Sequence, residues 1–112
     1  MEKSELIFKM LEMAMGENQA ATVKATGAEE YLGKHVFIRT VTHHYTGCVV
    51  SVGSLFMKLN TASWIADDGR LNEFVRDTSK ANEVEPYKNP ISVGLYSICE
   101  ITEVDDLPIE VK

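Results

Sequence analysis

Residues 33–53 read GKHVFIRTVTHHYTGCVVSVG, and this segment gives the clearest indication of the fold. Side chains over residues 36–41 alternate with a period of two, which is typical of a β-strand. A second strand is predicted from Tyr45 to Val52. Gly53-Ser54 is a two-residue hairpin signal because its first position tolerates positive φ, and β character resumes over residues 55–60. The stretch therefore predicts a three-stranded meander whose sheet edges must be paired, covered or charged.

Beyond the meander the chain turns polar after Trp64-Ile65. Asp67 or Asp68 is predicted to cap a short helix that contains Leu71, Phe74 and Val75. Pro86 and Pro90 bracket a fourth strand over residues 84–88. The last and longest strand is predicted from Ile91 to Val104. Apolar residues occur in both of its phases, so either both faces are covered or a bulge lies near Ser97.

The N-terminal part favours a helix over residues 5–15, between a capping Ser4 and the stop signal Gly16. Its polar side chains form one thin stripe, and apolar ones such as Leu6, Phe8 and Leu11 cover the rest. Such a helix needs cover on most sides. Either a cleft of its own domain or another copy of the chain supplies it. Residues 17–31 are predicted to be a linker.

Composition indicates a single soluble domain: 112 residues, 45% of them apolar and 25% charged. Seventeen acidic against eleven basic residues give a net charge of −6, which disfavours generic binding to nucleic acid. Cys48 and Cys99 lack CxxC spacing, so we expect reduced thiols and a cytoplasmic protein. We expect no membrane span, because the sequence contains no long apolar run. Residues 105–112 are predicted to form an extended C-terminal arm.

Candidate catalytic and metal-binding residues are few. His43 and His44 are adjacent, and neighbours on a strand point to opposite faces, so they do not chelate one metal ion from regular β geometry. Cys48 has no oriented base in the sequence, and no phosphate-binding or dinucleotide-binding motif occurs. We therefore expect no enzymatic activity, no cofactor and no metal.

The segment from about residue 32 to residue 104 resembles the Sm-like family. Gly33–Arg39 is similar to the first strand of that fold, and Tyr45–Gly53 is similar to the strand with an internal glycine, here Gly47. Ile91–Ile98 retains the late glycine of the second family motif at Gly94. Residues 39–47 also resemble small Sm-like proteins encoded by tailed phages. The resemblance implies a mainly β fold: an N-terminal helix on a small, strongly bent, five-stranded SH3-like barrel, with a helical excursion between strands 3 and 4.

The resemblance also implies a homo-oligomeric ring of about five to seven subunits, closed by pairing of the fourth strand with the fifth strand of the next copy. The expected subunit contact comprises residues of the late strands, Trp64 and the N-terminal helix. The predicted residues are Val84, Pro86, Tyr87, Ile91, Val93, Leu95, Trp64, Leu6, Phe8 and Leu11, with Phe74 as a further anchor.

The groups with which RNA-binding members of the family hold uridine are replaced here by Gly53, Met57 and Val93. A shift of one residue at the hairpin would place Lys58 or Asn60 in that pocket, so RNA binding stays the alternative, with Arg39 and Phe56 as further candidates. Phe56 is interpreted first as a core residue. The prediction is a non-enzymatic ring protein that acts in structure or assembly. Its partners would be its own copies and other virion proteins, in the host cytoplasm or the virion of a phage.

Overall fold

A computed structural model describes residues 27–112, and Tyr31–Lys112 form one compact unit. The helix predicted over residues 5–15, and with it Leu6, Phe8 and Leu11, lies outside the described residues. Of the predicted linker, only its end is described, as a 3-10 turn at Ala28–Tyr31. None of the helices within residues 27–112 is long and apolar enough to cross a membrane.

Six strands within residues 27–112 form one antiparallel sheet. They are β1 His35–Thr40, β2 His44–Val52, β3 Phe56–Asp67, β4 Glu83–Pro86, β5 Ile91–Gly94 and β6 Ile98–Glu103. Their order in the sheet is β4-β3-β2-β1-β6, and β5 also pairs with β3. A helical excursion between the third and fourth strands contains the short helix α1 (Leu71–Arg76) and a 3-10 turn at Thr78–Lys80. This mainly β architecture confirms the predicted fold class.

The bend of the sheet is concentrated in β3, which at 12 residues is the longest strand. Its first half pairs with β5 and its second half pairs with β4, while β2 runs along its other side. Between the two halves Thr61 adopts a φ of 52°, a left-handed conformation that β-branched residues rarely take. The β2–β3 register also shifts twice, and such bulges bend strands. The two halves of β3 therefore belong to two parts of one curved sheet.

The prediction of a single final strand from Ile91 to Val104 is wrong. A 3-10 turn at Leu95–Ser97 divides this region into β5, which pairs with β3, and β6, which pairs with β1. The sheet has six strand segments instead of five for this reason. The capping prediction is also wrong, because Arg70 is the N-cap of α1 without a side-chain hydrogen bond, and Asp67 Oδ1 accepts from the Gly69 amide instead.

Both faces of β1 are buried. Val36 and Ile38 point to one face and are fully buried, whereas Phe37 points to the other face and packs edge-to-face against Phe74 of α1, with ring centroids 4.7 Å apart. The Phe37 face continues into a cluster that joins β1, β3, β4 and the excursion. Its buried members are Phe37, Ile65, Phe74, Ala81, Val84 and Val104.

The arm at residues 105–112 crosses the sheet on the side of this cluster. Thr78 Oγ1 donates to the Asp106 carbonyl at 3.0 Å, and Ser63 Oγ donates to the Pro108 carbonyl at 2.7 Å. Leu107 packs against the cluster between these two hydrogen bonds. Two hydrogen bonds to carbonyls of the arm, together with the packing of Leu107, therefore hold the arm against the sheet.

Candidate assembly interface

The outer edge of β4 is partly covered by the chain itself. Val84 and Lys112 exchange two backbone hydrogen bonds, with N–O distances of 3.2 and 3.1 Å. Two residues further along β4, Pro86 has no N–H to offer a neighbouring strand. Since an edge is blunted by a covering segment and by proline, β4 is a poor template for another copy.

The outer edge of β5 is open over the described residues. The Leu95 amide donates to the Leu55 carbonyl at 2.9 Å, and the β3–β5 register fixes the phase of the ladder from there. Along a strand of an antiparallel ladder, the backbone groups of successive residues point alternately toward the partner strand and away from it. By this alternation the N–H and C=O of Ser92 point away from β3. Ser92 therefore presents an unpaired donor and acceptor at one end of the sheet.

The opposite end of the sheet is the outer edge of β6. The Val104 amide donates to the His35 carbonyl at 3.0 Å, and the register runs from Val36 opposite Glu103 to Arg39 opposite Glu100. The same alternation turns the backbone groups of Ile101 and Glu103 away from β1. Within residues 27–112 the sheet thus ends in two short open edges, β5 and β6.

The side chains predicted for the subunit contact occupy different environments. Val84 and Val93 are buried within the chain, and Pro86, Ile91 and Leu95 are half-buried. Trp64 and Tyr87 are exposed to 37% and 41%. The backbone of β5 stays free for pairing although the Ile91 and Val93 side chains are half-buried and buried. Among the described members of the set, Trp64 and Tyr87 are the accessible aromatic side chains. Their role in a subunit contact stays a prediction.

The residues proposed for RNA form no basic groove. Phe56 is 55% exposed, so its interpretation as a core residue is wrong. It borders a shallow depression of about 330 Å³ that Lys58 and Ser92 also line. Asn60 is exposed on the same strand. Arg39 is hydrogen-bonded to Glu100, and this contact lowers the pKa of the Glu100 carboxyl. The guanidinium that would attract phosphate is therefore already paired with a carboxylate.

The two glycines singled out in the sequence differ in the space around them. A Cβ at Gly47 would lie 2.9 Å from the Leu59 Cβ and 3.2 Å from the Asn60 carbonyl, so β2 and β3 approach too closely there for any side chain. A Cβ at Gly94 would meet only Ser97 Oγ, at 3.8 Å, and its φ of −66° suits every residue. Within residues 27–112, nothing requires glycine at Gly94.

His43 and His44 lie on opposite sides of the sheet. The His44 ring contacts Phe37, and its Nδ1 lies 3.4 Å from Asp68 Oδ2, whereas the His43 ring contacts Tyr45 and Trp64. In the part of the chain that the structure describes, no group of three His, Cys, Asp or Glu side chains is placed to hold a metal ion.

Four aromatic side chains that the sequence analysis did not connect form one surface, which we call the aromatic patch: His43, Tyr45, Trp64 and Tyr87. The His43 and Tyr45 rings are stacked at 6.0 Å, the His43 and Trp64 centroids are 5.6 Å apart, and Tyr45 lies 6.4 Å from Tyr87. Burial raises the pKa of Tyr45, and Tyr87 adds to this shift. The β2–β3 register places Tyr45 opposite Trp64, and the β3–β4 ladder brings Tyr87 to the same surface.

Comparison with known proteins identifies the fold. Family models and curated proteins give no match to this sequence. Among solved structures, the P. aerophilum SmAP1 heptamer is similar with a TM-score of 0.50 and 18% identity, over 70% of this chain and 88% of that chain. A heptameric archaeal Sm protein aligns with a TM-score of 0.49 and 18% identity, over 69% of this chain and 94% of that chain.

The bent antiparallel sheet, which has two open edges within residues 27–112, defines the class: a small barrel-like β-domain. The likeness to the SmAP1 structure identifies it further as the Sm fold. At 18% identity this likeness concerns the fold alone.

Proposed function

We propose that this chain assembles head-to-tail into a closed homo-oligomeric ring that serves as a non-enzymatic structural or assembly component. The observation that carries the proposal is the pair of open edges at opposite ends of the sheet, on β5 and β6. A contact between β5 of one copy and β6 of the next satisfies both edges in every subunit, and such a heterologous contact closes into a ring if its rotation divides a full turn. The similar SmAP1 structure is a heptamer, which supports this arrangement.

The mass of the assembly tests the ring directly. Native mass spectrometry at micromolar concentration is expected to give one species whose mass is an integral multiple of the 12.5 kDa chain, with five to seven copies as the family resemblance implies. A monomer as the only species contradicts the proposal. A broad ladder of masses would indicate open filaments, which also contradicts it, because a filament never closes.

A second candidate, an RNA-binding ring, is favoured by one observation. The turn before β3 is hydrogen-bonded to the 3-10 turn that carries Tyr96, so the exposed rings of Phe56, at the start of β3, and Tyr96 belong to neighbouring segments, as does Lys58. Aromatic rings stack on bases without reading sequence. The charge of −6 and the pairing of Arg39 with Glu100 oppose it, because phosphate contacts supply most of the affinity for nucleic acid.

Fluorescence polarisation with labelled uridine-rich and adenine-rich oligonucleotides separates the two functions. We expect no saturable binding at micromolar protein in about 0.15 M salt. Tight binding that weakens steeply with salt would instead assign the protein to the RNA-binding class. The role in a tailed-phage particle, suggested by residues 39–47, belongs to this proposal too, and detection of the protein in purified virions would test it.

A further inference from the structure

The aromatic patch is a built surface and not a set of scattered rings. Tyr45 lies directly opposite Trp64 in the β2–β3 ladder, and Trp64 lies directly opposite Glu85 in the β3–β4 ladder. Side chains that face each other across a ladder point to the same side of the sheet. His43 stacks on Tyr45 from the preceding turn, and Tyr87 meets Tyr45 from beyond the end of β4. Rings from three neighbouring segments thus present one face.

A carboxylate lies at one border of the aromatic patch. Glu85 is exposed and follows Trp64 in the cross-strand row, and Glu83 adds a second exposed carboxylate to the same short strand. The face of an aromatic ring attracts cations, most strongly for tryptophan, and a neighbouring carboxylate adds to this attraction. Rings with an acidic border suit a positively charged group. They do not suit a phosphate.

We propose that the aromatic patch binds arginine or lysine side chains of an extended basic segment in another protein. The cationic group would lie over the Trp64 and Tyr87 rings with Glu85 beside it. Charge complementarity favours this partner, since the whole chain carries −6 and the row itself ends in a carboxylate. This inference goes beyond ring assembly and requires that the subunit contact, made by the β5 and β6 edges, leaves Trp64 and Tyr87 uncovered.

Trp64 makes the proposal measurable, because it is the only tryptophan in the sequence. The probe is a blocked heptapeptide of alternating glycine and arginine, and its matched control carries citrulline, which is neutral, at each arginine position. Titrated into the full chain, the arginine peptide is expected to change Trp64 emission saturably, and the citrulline peptide is expected to leave it unchanged. A flat response to the arginine peptide, or equal responses to both peptides, overturns the proposal.

Two pairs of variants locate the binding. Glu85→Gln and Tyr87→Ala are each expected to weaken arginine-peptide binding about two- to fivefold, the range of an exposed cation–π or ion contact. Glu73→Gln removes the same charge from α1, and Tyr96→Ala removes a more exposed tyrosine from the 3-10 turn at Leu95–Ser97, outside the aromatic patch. These two controls should bind like the unchanged chain. Equal weakening in Glu73→Gln would mean nonspecific attraction to an acidic protein and would overturn the proposal.

The same fluorescence signal separates the other occupants of the patch. A uridine oligonucleotide that changes Trp64 emission more strongly than the arginine peptide would make the patch a base-stacking surface. Emission that changes with protein concentration alone, without a response to peptide, would mean that a second copy covers Trp64. Either result overturns the proposal. The first does not test ring assembly, and the second supports contact between copies of the chain.

Discussion

Replacing Phe74 by alanine is expected to destabilise the chain by about 3–5 kcal/mol, the range for a fully buried phenylalanine. Phe74 is completely buried, and its ring joins α1 to Phe37 of β1. A helix of six residues is too short to be stable alone, so α1 depends on this packing. Urea unfolding followed by circular dichroism measures the loss. Phe74→Leu, which keeps most of the volume, should cost less than half as much.

Leu71→Ala supplies the matched control for the Phe74 experiment. Leu71 begins the same helix but is 39% exposed, so its truncation removes little buried surface and should cost less than about 1 kcal/mol. Equal losses for Leu71→Ala and Phe74→Ala would show that the packing of Phe74 does not hold the excursion. If Phe74→Ala fails to fold, the difference between Phe74→Leu and Leu71→Ala decides the question.

Local signals in the sequence were sufficient for β1, β2 and the helix around Phe74. Each of these depends on neighbours within a few residues, such as alternation in β1 and apolar spacing in α1. The hairpin was predicted one residue too early: Gly53 has no positive φ and its amide donates to the Phe56 carbonyl, so the chain turns at Ser54 and Leu55. The close approach at Gly47 was also predictable, because a glycine inside a strand often marks a place where another backbone passes near.

The division of the last strand was not predictable from periodicity. Apolar residues recur with nearly the same spacing on both sides of the 3-10 turn at Leu95–Ser97, so the pattern continues although the strand changes its pairing. Only the ladders show that Val93 faces Met57 of β3 and that Ile101 faces Ile38 of β1. Pairing is a tertiary choice, which local propensity does not determine.

The candidate interface likewise depends on tertiary pairing that local sequence signals do not determine. The open edges follow from the order of the strands, and their blunting at β4 depends on Lys112, which is 28 residues beyond Val84 in the chain. The aromatic patch depends on register shifts between β2 and β3 that no pattern in the sequence predicts. Tyr45 and Trp64 were visible as aromatic residues, but their contact through His43 required the structure.

Ser92→Pro is expected to convert the proposed ring into monomers without unfolding the chain. The Ser92 N–H points away from β3, so proline there spares the internal ladder but removes one donor and sets a ring in the path of the neighbouring strand. Each contact between subunits loses about 1–3 kcal/mol of binding free energy, and this loss is repeated at every contact of the assembly. Native mass spectrometry measures the change. Ser92→Ala keeps the N–H and should keep the ring.

Glu103→Pro applies the same change to the other edge, because the Glu103 N–H points away from β1 on exposed β6. In a head-to-tail ring, the Ser92→Pro chain keeps a working β6 edge and the Glu103→Pro chain keeps a working β5 edge. A mixture of the two monomers is therefore expected to form dimers of one copy each and nothing larger, since the only contact left joins the two intact edges. Rings in either single variant, or no dimer in the mixture of folded chains, would contradict pairing of β5 with β6. A contact made by one patch with itself would produce no such complementation.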